Sequence, residues 1–135
     1  MGTRSITHIH EMKSLDDNER VVCSFFRHWD GYPSGHGDDL AGWLKTKRLV
    51  NGISTAEKGE ENIDFFNRAG TMAVKLMGFI QDESGCEVIS TGADDMWEEY
   101  TYHIYFRDGL FYIGIGDIDP IPVDEFNGVE IEQAA

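Results

Sequence analysis

Tyr100-Thr-Tyr-His-Ile-Tyr-Phe-Arg-Asp-Gly-Leu-Phe-Tyr-Ile-Gly-Ile115 decides the fold class. Two runs rich in aromatic and β-branched residues, 100–106 and 110–115, flank Arg107-Asp108-Gly109, whose glycine suits a tight hairpin turn. The start of the chain has the same character. Residues 4–10 alternate, with Ile6, His8 and His10 on one side and Ser5, Thr7 and Ile9 on the other. Val21-Val-Cys-Ser-Phe-Phe-Arg-His-Trp29 should pair with them after a polar turn over 13–20, and 86–90 adds a short fifth strand. Helical patterns lie between. Asp38 suits an N-cap for a helix over 39–47 with Leu40, Trp43 and Leu44 on one face, before a second loop at Asn51, Gly52 and 54–59. The spacing of Ile63, Phe66, Met72, Ala73, Leu76, Met77 and Ile80 predicts a longer helix over 60–81, opened by Glu60, Glu61 and Asp64. Strands grouped at both ends with helices between them predict an α+β fold, an antiparallel sheet of about five strands with two helices on one face.

A chain of 135 residues with 41% hydrophobic content fits a single domain, 1–135, with enough apolar surface for a core. Residues 124–135 are acidic and sparsely apolar, a composition able to fray as a flexible tail. Cys23 and Cys86 sit in strand-like segments without a CxxC pair, so buried free thiols in a reducing compartment are expected. The start lacks the apolar core of a secretory signal and no run is long enough to span a bilayer, which predicts a soluble cytoplasmic protein.

Charge is segregated. Residues 82–135 carry fourteen acidic residues and one base, a net of −13 out of the chain's −14. Such a region attracts a cation or a basic surface and argues against direct nucleic-acid binding by that half. A basic groove built for DNA or RNA would be attracted in the same way as by phosphates, whereas simple solvation of an acidic surface is the plainer explanation. The candidate partner-binding residues are Asp94, Asp95, Glu98, Glu99, Asp117, Asp119, Asp124 and Glu125, with Trp97 and Tyr100 as exposed aromatic anchors.

The densest set of functional side chains is Arg27-His-Trp-Asp-Gly-Tyr-Pro-Ser-Gly-His-Gly37, at a strand-to-helix junction. It matches neither a P-loop nor a GxGxxG fingerprint, and Asp38 and Asp39 would repel a phosphate there. Two explanations stand: a turn shaped by Gly and Pro with Trp29 and Tyr32 closing the core edge, or a ligand site using Arg27, His28, Asp30, Tyr32, Ser34 and His36. Among the five histidines, His8 and His10 share a strand face, and His28 or His103 could complete a three-His cluster with Asp30 in reserve. No metal-ligand spacing supports it, and neither a metal nor another cofactor is expected. No catalytic residue is assigned either: GxSxG is absent, and the many carboxylates single out no acid–base pair.

Gly2-Thr-Arg-Ser-Ile6, Asp30-Gly-Tyr-Pro-Ser-Gly-His-Gly37, Asn51-Gly52 and Glu98-Glu-Tyr-Thr-Tyr102 together resemble a group of small proteins found mainly in bacteriophages. The likeness runs over about 2–106. It implies a phage or prophage setting, hence the host cytoplasm, and by analogy an antagonist of host defence that acts by stoichiometric binding. The leading expectation is therefore a non-enzymatic, anti-CRISPR-like inhibitor whose acidic C-terminal half occupies a basic nucleic-acid-binding surface of a host defence protein. The alternative is a binder or hydrolase of a nucleotide or other small molecule that uses the DGYPSGHG loop.

Overall fold

The computed structural model describes residues 2–11, 20–49, 62–81, 85–107 and 109–134. Within them the chain is α+β. It runs β1 (Ser5–His10), β2 (Val21–Arg27), a π-helical turn (Pro33–Gly37), α1 (Asp38–Leu44), β3 (Lys47–Leu49), β4 (Asp64–Phe66), α2 (Ala69–Ile80), β5 (Cys86–Ile89), β6 (Tyr100–Arg107), β7 (Leu110–Ile115), β8 (Ile118–Pro122) and α3 (Gly128–Ala134). Nearly all of the turn expected over 13–20, the loop over 51–59, and Glu60, Glu61 and Asp108 lie outside the described residues.

Six strands form one sheet in the order β5-β2-β1-β6-β7-β8. It is mixed rather than antiparallel: β1 and β6 run parallel at its centre, Ser5 beside Tyr100 and Ile9 beside Ile104, and join two antiparallel halves. Alternation reports which face a side chain takes but not the direction of its strand, so the parallel pair was not legible. It is made possible by a crossing over 90–99 that leaves edge strand β5, passes β2 and β1, and enters β6 at the end where β1 begins. There the Glu99 and Tyr100 amides both donate to the Arg4 carbonyl, at 2.9 and 3.3 Å.

The helix expected over 60–81 begins at Ala69. Residues ahead of it instead form β4, which pairs in parallel with β3 and places Lys47 Nζ 3.0 Å from Asp64. Two adjacent phenylalanines favour a strand, and the helical period had only Ile63 and Phe66 to support it in that half. Phe66 therefore packs from β4, its ring stacked on Trp43. From Met72 onward the expected register holds: Met72, Ala73, Leu76 and Ile80 are buried against Ile9, Phe25 and Ile104 of the sheet. Each large side chain buried there contributes roughly 1.5–3 kcal/mol. α1 starts one residue early and ends at Leu44, because Lys47 and Arg48 are drawn into β3. Cys23 and Cys86 are half-buried and are not joined in a disulfide; Cys23 Sγ lies 3.7 Å from Met77 Sδ.

Sequence reasoning missed β8 and α3. β8 continues from β7 through a short turn. Within the acidic segment 124–135, α3 packs on the π-helical turn, and its first amide, on Gly128, donates to Asp38 Oδ1 at 2.9 Å. Asp38 thus caps α3 rather than its own helix.

Candidate partner-binding surface

Two polar loops meet at the end of the sheet where β1 starts. The first is the DGYPSGHG loop, whose His36 and Ser34, with Arg27 just ahead of it, are engaged inside the protein. His36 is fully buried on the core side of the sheet; its Nδ1 accepts from Arg27 at 3.0 Å, which makes Nε2 the protonated nitrogen, donating to Thr7 Oγ1 at 2.7 Å. Burial, reinforced by the Arg27 charge, pushes the His36 pKa down to about 3, so this ring is neutral at any ordinary pH. Arg27 is only 3% exposed; it also donates from Nε to the Trp29 carbonyl at 2.8 Å and lies 3.3 Å from Asp39 Oδ2. Ser34 donates both its amide and its hydroxyl to Glu132 of α3, at 2.9 and 2.8 Å. Glycine is required by close approach: a Cβ on Gly37 would come 2.8 Å from Phe126 Cζ, and one on Gly128 would collide with the Pro33 carbonyl.

Of the six residues considered as a ligand set, His36, Arg27 and Ser34 are thus engaged inside the fold. His28 lies beside Phe26 and Trp29 with Glu87 at 3.7 Å, and Asp30 and Tyr32 remain exposed on the rim. Asp30 holds a left-handed backbone, φ 59°, and its carbonyl accepts the His36 amide. The loop's partners Thr7, Asp39, Phe126 and Glu132 were not legible, since Glu132 is 98 residues from Ser34 and no local pattern links them.

The other face of the sheet carries the histidine row. His8 and His103 are register partners on β1 and β6, and His10 Nε2 lies 2.9 Å from His103 Nδ1. Tyr105, which sequence reasoning passed over, stacks on His10 with ring centroids 4.5 Å apart. Burial pulls the His103 pKa down to about 4, helped by His10 and His8; burial also lowers that of His8, against the opposing pull of Asp94 and Glu98. His28 is not part of the row. No group of three or more His, Cys, Asp or Glu among the described residues has the geometry to hold a metal ion.

The crossing over 90–99 lies on this histidine face. Its Gly92 amide donates to Ser24 Oγ at 2.9 Å, and the same oxygen is 2.7 Å from His8 Nδ1. Beyond Gly92 the polar groups point outward. Asp94, Asp95 and Glu99 are exposed, Glu98 is half-buried with Oε1 accepting the Met96 amide, and Trp97 is 84% exposed. Asp95 and Trp97 both adopt left-handed backbone, φ 58° and 60°, a conformation that costs a non-glycine residue about 1 kcal/mol or more. The Gly116 amide donates to the Thr101 carbonyl, which brings the β7–β8 turn and exposed Asp117 to the same end.

Not all the acidic candidates converge. Asp119 is exposed on edge strand β8; Asp124 and Glu125 are exposed beyond its far end, roughly 20 Å from Asp117 at about 3.3 Å per residue. Tyr100 is not an exposed anchor. It falls on the core-facing side of β6, half-buried, with its ring tilted against Tyr102 two residues on. Among the described residues, the ion pairs at Glu11, Asp39, Glu87 and Asp64 leave out every carboxylate beyond Glu87. No helix among the described residues is long and apolar enough to cross a membrane. Comparison with models of protein families, with curated proteins and with solved structures finds no match, so any functional conclusion rests on this geometry and on the charge of the chain.

Proposed function

We propose that this protein is a non-enzymatic inhibitor of the phage anti-defence type, anti-CRISPR-like, which binds the basic nucleic-acid-binding surface of a host defence protein. The supporting observation is Trp97. A tryptophan that is 84% exposed, held in a left-handed conformation and bordered by exposed Asp94, Asp95 and Glu99 has little reason to exist as a core residue. It has the character of a hot spot, offering a large rigid surface and a ring face for an arginine. The surrounding carboxylates, with Asp117 beside them, supply long-range attraction to a basic partner and orient its approach.

Capture from bacterial host lysate on the immobilised protein, washed at rising salt, tests this. The expected partner itself binds nucleic acid, is released as salt screens the contact, and is displaced by competing DNA. Trp97→Ala should weaken capture by about 2 kcal/mol or more while leaving the protein folded. Salt-insensitive capture, or a partner without affinity for nucleic acid, would count against mimicry.

A further inference from the structure

The two edges of the six-stranded sheet differ. Edge strand β8 reads Ile118-Asp-Pro-Ile-Pro122; two prolines without an N–H and an exposed aspartate make it a poor template for another strand. Edge strand β5, Cys86-Glu-Val-Ile89, contains no proline. Its Val88 is 63% exposed, and beside it a groove of about 560 Å³ runs between the strand and α2. Phe25, Val74, Met77, Cys86 and Val88 supply its apolar lining, with Val74 70% exposed at the rim. Among the described residues, Glu87 is the single charged one in that lining.

We propose that the β5 edge and this groove form a second docking site, one that takes an extended segment of a partner protein in which apolar residues alternate with Lys or Arg. A strand edge presents backbone groups that an added strand satisfies, which sets the backbone conformation of the occupant. Period two then sets its side chains. One face of the added strand enters the groove between α2 and Val88; the other lies on the Glu87 side, where positive charge is complementary. The net charge of −14 opposes a second copy of this chain as the occupant and favours a basic one. The groove opens on the α2 face of the sheet, opposite the face that the acidic crossing covers; only the Glu87 row of the added strand lies on the crossing's side.

A fluorescent, end-capped peptide of alternating valine and lysine serves as the probe, measured by anisotropy at physiological salt. Saturable binding is expected, with slowed exchange of amides in β5, and Val88→Asp and Val74→Asp should each weaken it by about tenfold or more. Both positions are exposed, so the fold tolerates the change. The same peptide with alternate amides N-methylated should lose binding, because the ladder cannot form. Trp97→Ala should leave affinity within about twofold; a larger loss assigns the peptide to the crossing and overturns the proposal. Equal binding of the methylated peptide, indifference to Val88→Asp, or a wild-type dimer that Val88→Asp dissociates would overturn it as well.

Discussion

The 27–37 segment, which contains the DGYPSGHG loop, and the 90–99 crossing lie at the same end of the sheet and carry comparable numbers of polar and aromatic side chains, yet they use most of them in opposite directions. In the first, Arg27 and His36 are buried and bonded to Thr7, Trp29 and Asp39, and glycines let Phe126 and α3 approach the backbone. In the second, Asp94, Asp95, Glu99 and Trp97 face solvent, and Asp95 and Trp97 hold left-handed backbone. A dense motif is therefore not by itself a site. What separates the two is whether the polar atoms already have partners, because a buried group must be satisfied within the fold and an exposed one need not be.

The sharpest way to break this contrast is His36→Ala. Removing the ring leaves Thr7 without its donor and a buried guanidinium short of an acceptor, and should destabilise the protein by about 3–5 kcal/mol in urea titrations without changing the affinity of the acidic surface. A neutral result would return the loop to the ligand-site explanation. Leu76→Ala, in the core beneath, should cost about 2–5 kcal/mol and serves as the calibration.

Acid should separate the two regions next. His36 and His103 have folded pKa values of about 3 and about 4, below the 6.5 of an unfolded histidine, so the unfolded chain binds more protons between those limits. Their contribution is fully present above about pH 6.5 and is lost as pH falls toward 4, at up to about 1.4 kcal/mol per pH unit for each group. His8, lowered in the same direction, adds to the loss. Urea midpoints should fall from pH 7 to pH 5, and less steeply in His36→Gln. A flat profile would mean that these rings are not buried neutral.

Salt probes the acidic side. If the carboxylates of the C-terminal half repel one another, screening should raise the melting temperature by about 3–5 °C, the equivalent of about 1 kcal/mol in a domain of this size. No change would mean that they are dispersed, and the electrostatic basis for mimicry would go with it. The smallest expected effect is also the most local: Asp95→Gly should stabilise by about 0.5–1 kcal/mol by relieving the left-handed backbone, while Trp97→Gly should gain similar stability yet lose partner capture. Loss of stability in either would show that the conformation is not strained.

Parts of this architecture are legible in the order of residues alone. The alternation over 4–10 puts His8 and His10 on one face, and the aromatic runs at 100–115 mark the β6–β7 hairpin, because a strand's period is written locally. The helical register from Met72 to Ile80 is legible for the same reason, while β4 is hidden because Ile63 and Phe66 also fit the spacing of the helix that follows. α3 is hidden because seven residues are too few to display a helical period and its Val129 and Ile131 alternate instead; what holds it is Asp38 and Ser34, roughly a hundred residues away.

By itself the sequence determined the α+β class, the strand character of β1, β2, β5, β6 and β7, the buried face of α2 from Met72 onward, and a charge imbalance that no fold can remove, since these depend on residue type and spacing alone. Only the tertiary structure decided that β1 and β6 lie parallel, that His36 and Arg27 satisfy each other inside while Trp97 stands in solvent, and that Tyr100 belongs to the core. Those outcomes turn on contacts between residues far apart in the chain. Burial and hydrogen bonding are settled by whichever neighbours the topology brings, and the crossing over 90–99 is what brings them.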